Sequence, residues 1–184
     1  MDELETIKEW YRYNSLVRKG YLRTLLALPP SELTRDRGAS FPPLVDILVH
    51  TLDAYRGWFL GGYLGRSAEL KDLAADGPLT IDQALEAEAV VDREVRGIVD
   101  ELKPAELDRV VTVPGEEQRP GGGRITERDL LWHMVEEELQ HRGELNALLW
   151  QIDVTPPVLG WDDHRIPFYR DRALGILPAE APNG

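Results

Sequence analysis

The 184-residue chain has no cysteine. That excludes disulfides, thiolate zinc sites and thiol nucleophiles, so any metal must be held by His, Asp or Glu. Lysine is scarce too, with only Lys8, Lys19, Lys71 and Lys103. Arginine supplies the remaining 17 of 21 basic residues, against 33 acidic ones. The net charge of −12 repels nucleic acid and anionic membrane, so neither is expected as a partner. No window approaches the ~18 apolar residues of a membrane helix. The charged start, MDELETIKEWYRYN, lacks an apolar signal core, and a cytoplasmic protein is expected.

What is present is helical spacing, in a length that fits one domain over residues 1–184. Apolar residues recur at three- and four-residue steps over Glu3 to Leu28, until Pro29 and Pro30 stop the pattern. A second stretch runs from Pro42 to Leu64, with Ser40 as the expected N-cap and glycines 61, 62 and 65 at its end. A third runs from Thr80 to Leu102, before Pro104. The Gly- and Pro-rich segment 109–124 reads as a turn, with Val110, Val111 and Val113 able to extend. The last helix spans Thr126 to Ile152, and Thr126 with Asp129 resembles a capping box. A Pro-rich tail from residue 153, carrying Trp161, Phe168 and Tyr169, is expected to pack over the helices. Four such helices suit an all-α four-helix bundle, and the long connections permit crossovers.

The last helix carries the chemistry. On a helical wheel its apolar residues fall within about 100° of arc. His141 lies inside that arc, Glu137 one turn away at its margin, and Glu138 also points into it. A carboxylate and an imidazole on a core face cost free energy unless something satisfies them. Ligands at i and i+4 on one face suit a divalent cation. A third ligand has to come from elsewhere. His50 reads either as that ligand or as a half-buried histidine bonded to a neighbour, and His164 as an exposed loop histidine. Glu138 is a candidate general base or a carboxylate at an interface. His133 and Asp53 are candidate outer-sphere groups. Arg142 reads as an ion-pair partner, Trp58 as core filling, and Asp162, Asp163 and Arg165 as solvated.

Three segments, WYRYNSLVRKGYLRTLLALP, SFPPLVDILVHTLDAYRGWF and TERDLLWHMVEEELQHRGELNALLWQIDVTPP, resemble the DinB/YfiT-like superfamily over nearly the whole chain. Many members have His one turn before the His-Arg-Gly. Here that position is Glu137, which is similar to the His-Glu-His variant of mycothiol-dependent maleylpyruvate isomerase and its relatives. The resemblance implies the ligands His50, Glu137 and His141, a bundle of four helices with a non-sequential connection, and a homodimer. It further implies a zinc or nickel ion with open coordination, able to activate a low-molecular-weight thiol such as mycothiol or bacillithiol toward a small-molecule substrate. Thiol transfer, isomerisation or hydrolysis is the expected reaction class. The competing readings are a non-catalytic bundle that binds metal or a small ligand in a stress response, and a plain dimerisation module.

Overall fold

The computed structural model describes residues 2–66, 70–113, 123–157 and 160–166. The protein is mostly helical, with one small two-stranded sheet. Helix α1 spans Glu3–Leu26. Its N-cap Asp2 accepts the Glu5 N–H, satisfying a donor that no helical turn can reach. The helix ends two residues before the expected Leu28. A short helix, α2 (Pro30–Leu33), follows, because a proline at the first position loses no hydrogen bond.

Helix α3 spans Leu44–Ala54 and is capped by Pro43, not by Ser40. Ser40 is engaged elsewhere: its N–H and hydroxyl both donate to Glu144. Beyond Ala54 the same rod continues as a π-helix, Tyr55–Tyr63, wound wider than apolar spacing can reveal. Helix α4 (Ile81–Glu101) starts from a reciprocal capping box between Thr80 and Gln83. After a 3₁₀ turn at Pro104–Glu106, β1 (Val110–Thr112) pairs antiparallel with β2 (Arg124–Thr126), in the register Val111 to Ile125. Val110 and Val111 extend as expected; β2 carries no apolar run that would mark it. Residues 114–122, within the segment expected to turn, lie outside the described residues.

Thr126 ends β2 and caps helix α5 (Glu127–Trp150) through Asp129. In the tail, α6 (Trp161–Arg165) lies against α1, with Trp161 stacked on Trp10 at 4.2 Å. His164 is therefore not an exposed loop histidine: it is 4% exposed, and its Nε2 lies 2.8 Å from Glu9. Nor are Asp163 and Arg165 simply solvated: Asp163 accepts the Gly160 N–H and Arg165 lies 3.6 Å from Glu9, whereas Asp162 is exposed. Phe168 and Tyr169 lie outside the described residues.

Helix α1 packs on both α4 and α5, and α3 packs on the same two helices. The core forms two apolar clusters. One gathers Leu4, Ile7, Tyr11, Phe59, Val95 and Leu130; the other gathers Val17, Leu22, Leu44, Ile47, Leu145 and Leu149. Each such side chain contributes roughly 1.5–3 kcal/mol on burial.

Charged residues intervene between the clusters. Along α4, Glu88 falls between Ala84 of one cluster and Val91 of the other; along α5, Glu138 falls between Val135 and Leu145. Arg18 joins them, donating to Glu138 at 2.5 Å and to Glu88 and Asp92 at 3.4 and 3.5 Å. Lys19 reaches Asp92 at 2.7 Å. Burial works against the Arg18 charge, but Glu138 foremost outweighs it, and the guanidinium holds its proton more tightly than usual. None of the described helices is long and apolar enough to cross a membrane.

Candidate metal centre

Helices α3 and α5 lie side by side, which brings His50 on one against Glu137 and His141 on the other. One ligand atom from each of the three lies within 4.8 Å of the other two. Oε2 of Glu137 is 3.4 Å from His141 Nε2 and 4.0 Å from His50 Nε2. Ligand atoms ~2.0–2.2 Å from one ion stand about 3.4 Å apart when tetrahedral. The donor set therefore fits a divalent cation with small side-chain adjustment. Among the described residues, Glu137 approaches histidines but no Lys or Arg. A carboxylate so placed is short of positive charge.

The two imidazoles are held differently. His141 is buried, and its Nδ1 lies 3.4 Å from Glu144 Oε2, which directs Nε2 toward Glu137. Partial burial opposes ionisation of Glu144. Hydrogen bonds from the Ser40 hydroxyl and amide, and from His141, outweigh it and hold that carboxyl below its usual range. His50 is a third exposed at its side chain, and Phe41 stacks on it with ring centroids 3.9 Å apart. Burial first, and then the neighbouring His141, lowers the His50 pKa despite Glu137. Its imidazole is thus neutral near pH 7, the form that offers a lone pair.

The remaining predicted residues take distinct places. His133 lies on the far side of Glu137, with Nε2 3.6 Å from Oε1; it also approaches Glu136, and its ring packs on Trp58. That Nε2 is shielded from solvent and has no hydrogen-bond partner. Asp53 accepts the Leu73 N–H and pairs with Arg56, so it anchors the chain beyond the π-helix. Glu138 is not brought to the cluster: its carboxylate is buried against Arg18. Arg142 has no ion-pair partner among the described residues; its guanidinium lies over the Tyr13 ring instead.

Beside the three ligands opens a cleft of about 510 Å³. Phe41, Val49, Ala54, Gly57 and Trp58 line it together with His50 and Glu137. Trp58 is thus a wall of the cleft and only partly core filling. It sits on the π-helix, a form often found at functional sites. Sequence reasoning missed Glu144, Phe41 and Arg18. The i+3 spacing from His141 to Glu144 was the one local signal available.

A helical protein with two imidazoles and a carboxylate converging beside a cleft belongs to the class of candidate metal-binding helical proteins. The family model of the DinB superfamily matches residues 15–145, and the chain belongs to that superfamily. No curated relative matches it.

Proposed function

We propose that the protein is a metal-dependent enzyme acting on a small molecule, with His50, Glu137 and His141 holding one zinc or nickel ion. The single observation that carries this is the convergence of those three side chains, from two helices, on one point at the mouth of a cleft. In this reading the chain is one four-helix-bundle domain, with α1 and α3 each wedged between α4 and α5, a non-sequential arrangement.

Two imidazoles and one carboxylate leave coordination positions open, and an ion held there makes a thiol or water that meets it more acidic. The rest is done by side chains. Glu144, fixed by Ser40, orients His141. Phe41 holds the His50 ring from one side. Val49, Ala54 and Trp58 give the cleft an apolar wall that thins the water around a bound substrate. His133 lies against the opposite oxygen of Glu137, as an outer-sphere neighbour of that carboxylate. A low-molecular-weight thiol of the mycothiol or bacillithiol kind is the proposed co-substrate, and transfer, isomerisation or hydrolysis the proposed reaction class.

The same reading makes the protein a cytoplasmic homodimer.

Elemental analysis of tag-free protein tests the core of this reading, with close to one zinc or nickel per chain expected. Metal content unchanged by Glu137→Ala combined with His141→Ala overturns it. Bound metal without turnover in thiol-dependent transferase and isomerase assays would favour a binding role over catalysis.

A further inference from the structure

Glu137 has two carboxylate oxygens, and α5 meets each of them with a histidine one turn away. His141, four residues on, brings Nε2 to 3.4 Å from Oε2; His133, four residues back, brings Nε2 to 3.6 Å from Oε1. Both rings are held in the same manner. Nδ1 of His141 lies 3.4 Å from Glu144, and Nδ1 of His133 lies 3.4 Å from Glu136, each carboxylate three residues past its histidine. A carboxylate on Nδ1 keeps the proton there and leaves the Nε2 lone pair facing Glu137. The arrangement that suits one ion is thus laid out again on the other oxygen of the same carboxylate.

A second observation marks that oxygen as a place for a cation. His133 Nε2 is closed off from solvent and has no hydrogen-bond partner among the described residues. The Trp58 ring packs on the imidazole with centroids 4.5 Å apart. The 3.6 Å between Nε2 and Oε1 is too long for a direct hydrogen bond. It is close to the ~3.4 Å that separates two ligands of one tetrahedral ion. One ligand atom from each of His133, Glu136 and Glu137 lies within 4.8 Å of the other two.

We propose that Glu137 bridges two divalent cations: the first on Oε2, His50 and His141, the second on Oε1 and His133 Nε2. Glu136 orients His133, and water completes the coordination of the second ion. The inference rests on the reading of His50, Glu137 and His141 as a metal site and extends it to a pair of ions. Two ions in such a pair stand about 3.5–4 Å apart. Two protein ligands hold an ion less tightly than three, so the second is read by titration and not on the protein as purified.

Cobalt(II) serves as the probe, because it takes the same ligands as zinc and nickel and is paramagnetic. Equilibrium dialysis of the metal-free full chain should reach two cobalt ions per chain. The electron paramagnetic signal should grow over the first equivalent and fall per ion over the second, since two ions on one carboxylate couple their spins. His133→Ala should stop at one ion per chain with an uncoupled signal. Glu136→Ala should weaken the second ion alone, by about 10–100-fold. An unchanged melting temperature of the metal-free variants shows that the fold is kept. One ion per chain in the unaltered protein, two ions without coupling, or a second ion untouched by His133→Ala would each overturn the proposal. The two readings fail in different ways. A single ion that is lost with Glu137→Ala and His141→Ala, yet is indifferent to His133→Ala, removes this inference alone. No ion bound by the unaltered protein removes the metal reading and this inference with it.

Discussion

Arg18 donates to Glu138, one residue past Glu137, and both side chains are buried. The contact ties α1 to the helix that carries two of the three candidate ligands. Arg18→Ala strands Glu138 and Glu88 in the core without their cation. A loss of about 3–5 kcal/mol is expected on urea unfolding. Arg18→Lys should recover only part of it, because an ammonium cannot present the guanidinium fork to three carboxylates. A loss within 0.5 kcal/mol, the ordinary surface value, would show that the cluster does not hold the core.

Glu144 touches His141 and not the point where the ligands converge. Glu144→Ala should therefore lower metal affinity about 10–100-fold while leaving all three ligands in place. Competition with a chelator of known affinity measures it. Ser40→Ala should act in the same direction more weakly, since the Ser40 amide still reaches Glu144.

Acid should release the tail. Burial pushes the Glu9 carboxyl up, but hydrogen bonds from His164 and Arg12 outweigh it and hold it below its usual value. A depressed carboxyl lends stability that is complete above the ordinary carboxylate range. That stability fades as pH falls through the lowered value. The docking of α6, reported by Trp161 stacked on Trp10, should thus loosen below about pH 4. Tryptophan fluorescence should show an acid step that Glu9→Gln abolishes.

Thr126 closes the capping box of α5 with Asp129. Thr126→Ala should cost about 0.5–2 kcal/mol by thermal or urea unfolding, and Thr80→Ala a similar amount at α4. Neither residue lies in the candidate metal centre, so metal content per folded chain should stay unchanged.

The long helices α1, α4 and α5 were legible because apolar spacing, caps and prolines mark their limits locally. Thr80, Thr126 and Pro104 each act within a turn or two of their own position. What local pattern missed was set by distant partners. Ser40 looks like an N-cap until Glu144, 104 residues on, claims it. His164 looks like a loop residue until Glu9 meets it from the other end of the chain. Arg18 sits on an apolar face, and a stripe-finding rule passes over it because its three carboxylates lie on α4 and α5. The spacing of Glu137 and His141 on one helix was readable. Their meeting with His50 followed from a family likeness, because only the packing of α3 on α5 brings it about.

From Tyr55 to Tyr63 the second long rod winds more loosely than an ordinary helix, and Trp58 takes its bearing from that winding. The aromatic boundary of the cleft thus depends on how many residues fill a stretch of backbone, as well as on which ones. Point substitutions along the stretch would leave that bearing in place. Removing a single residue, so that the coil tightened to the usual pitch, would change the turn angle at each position of the stretch and carry the indole off the place it now takes in the cleft wall.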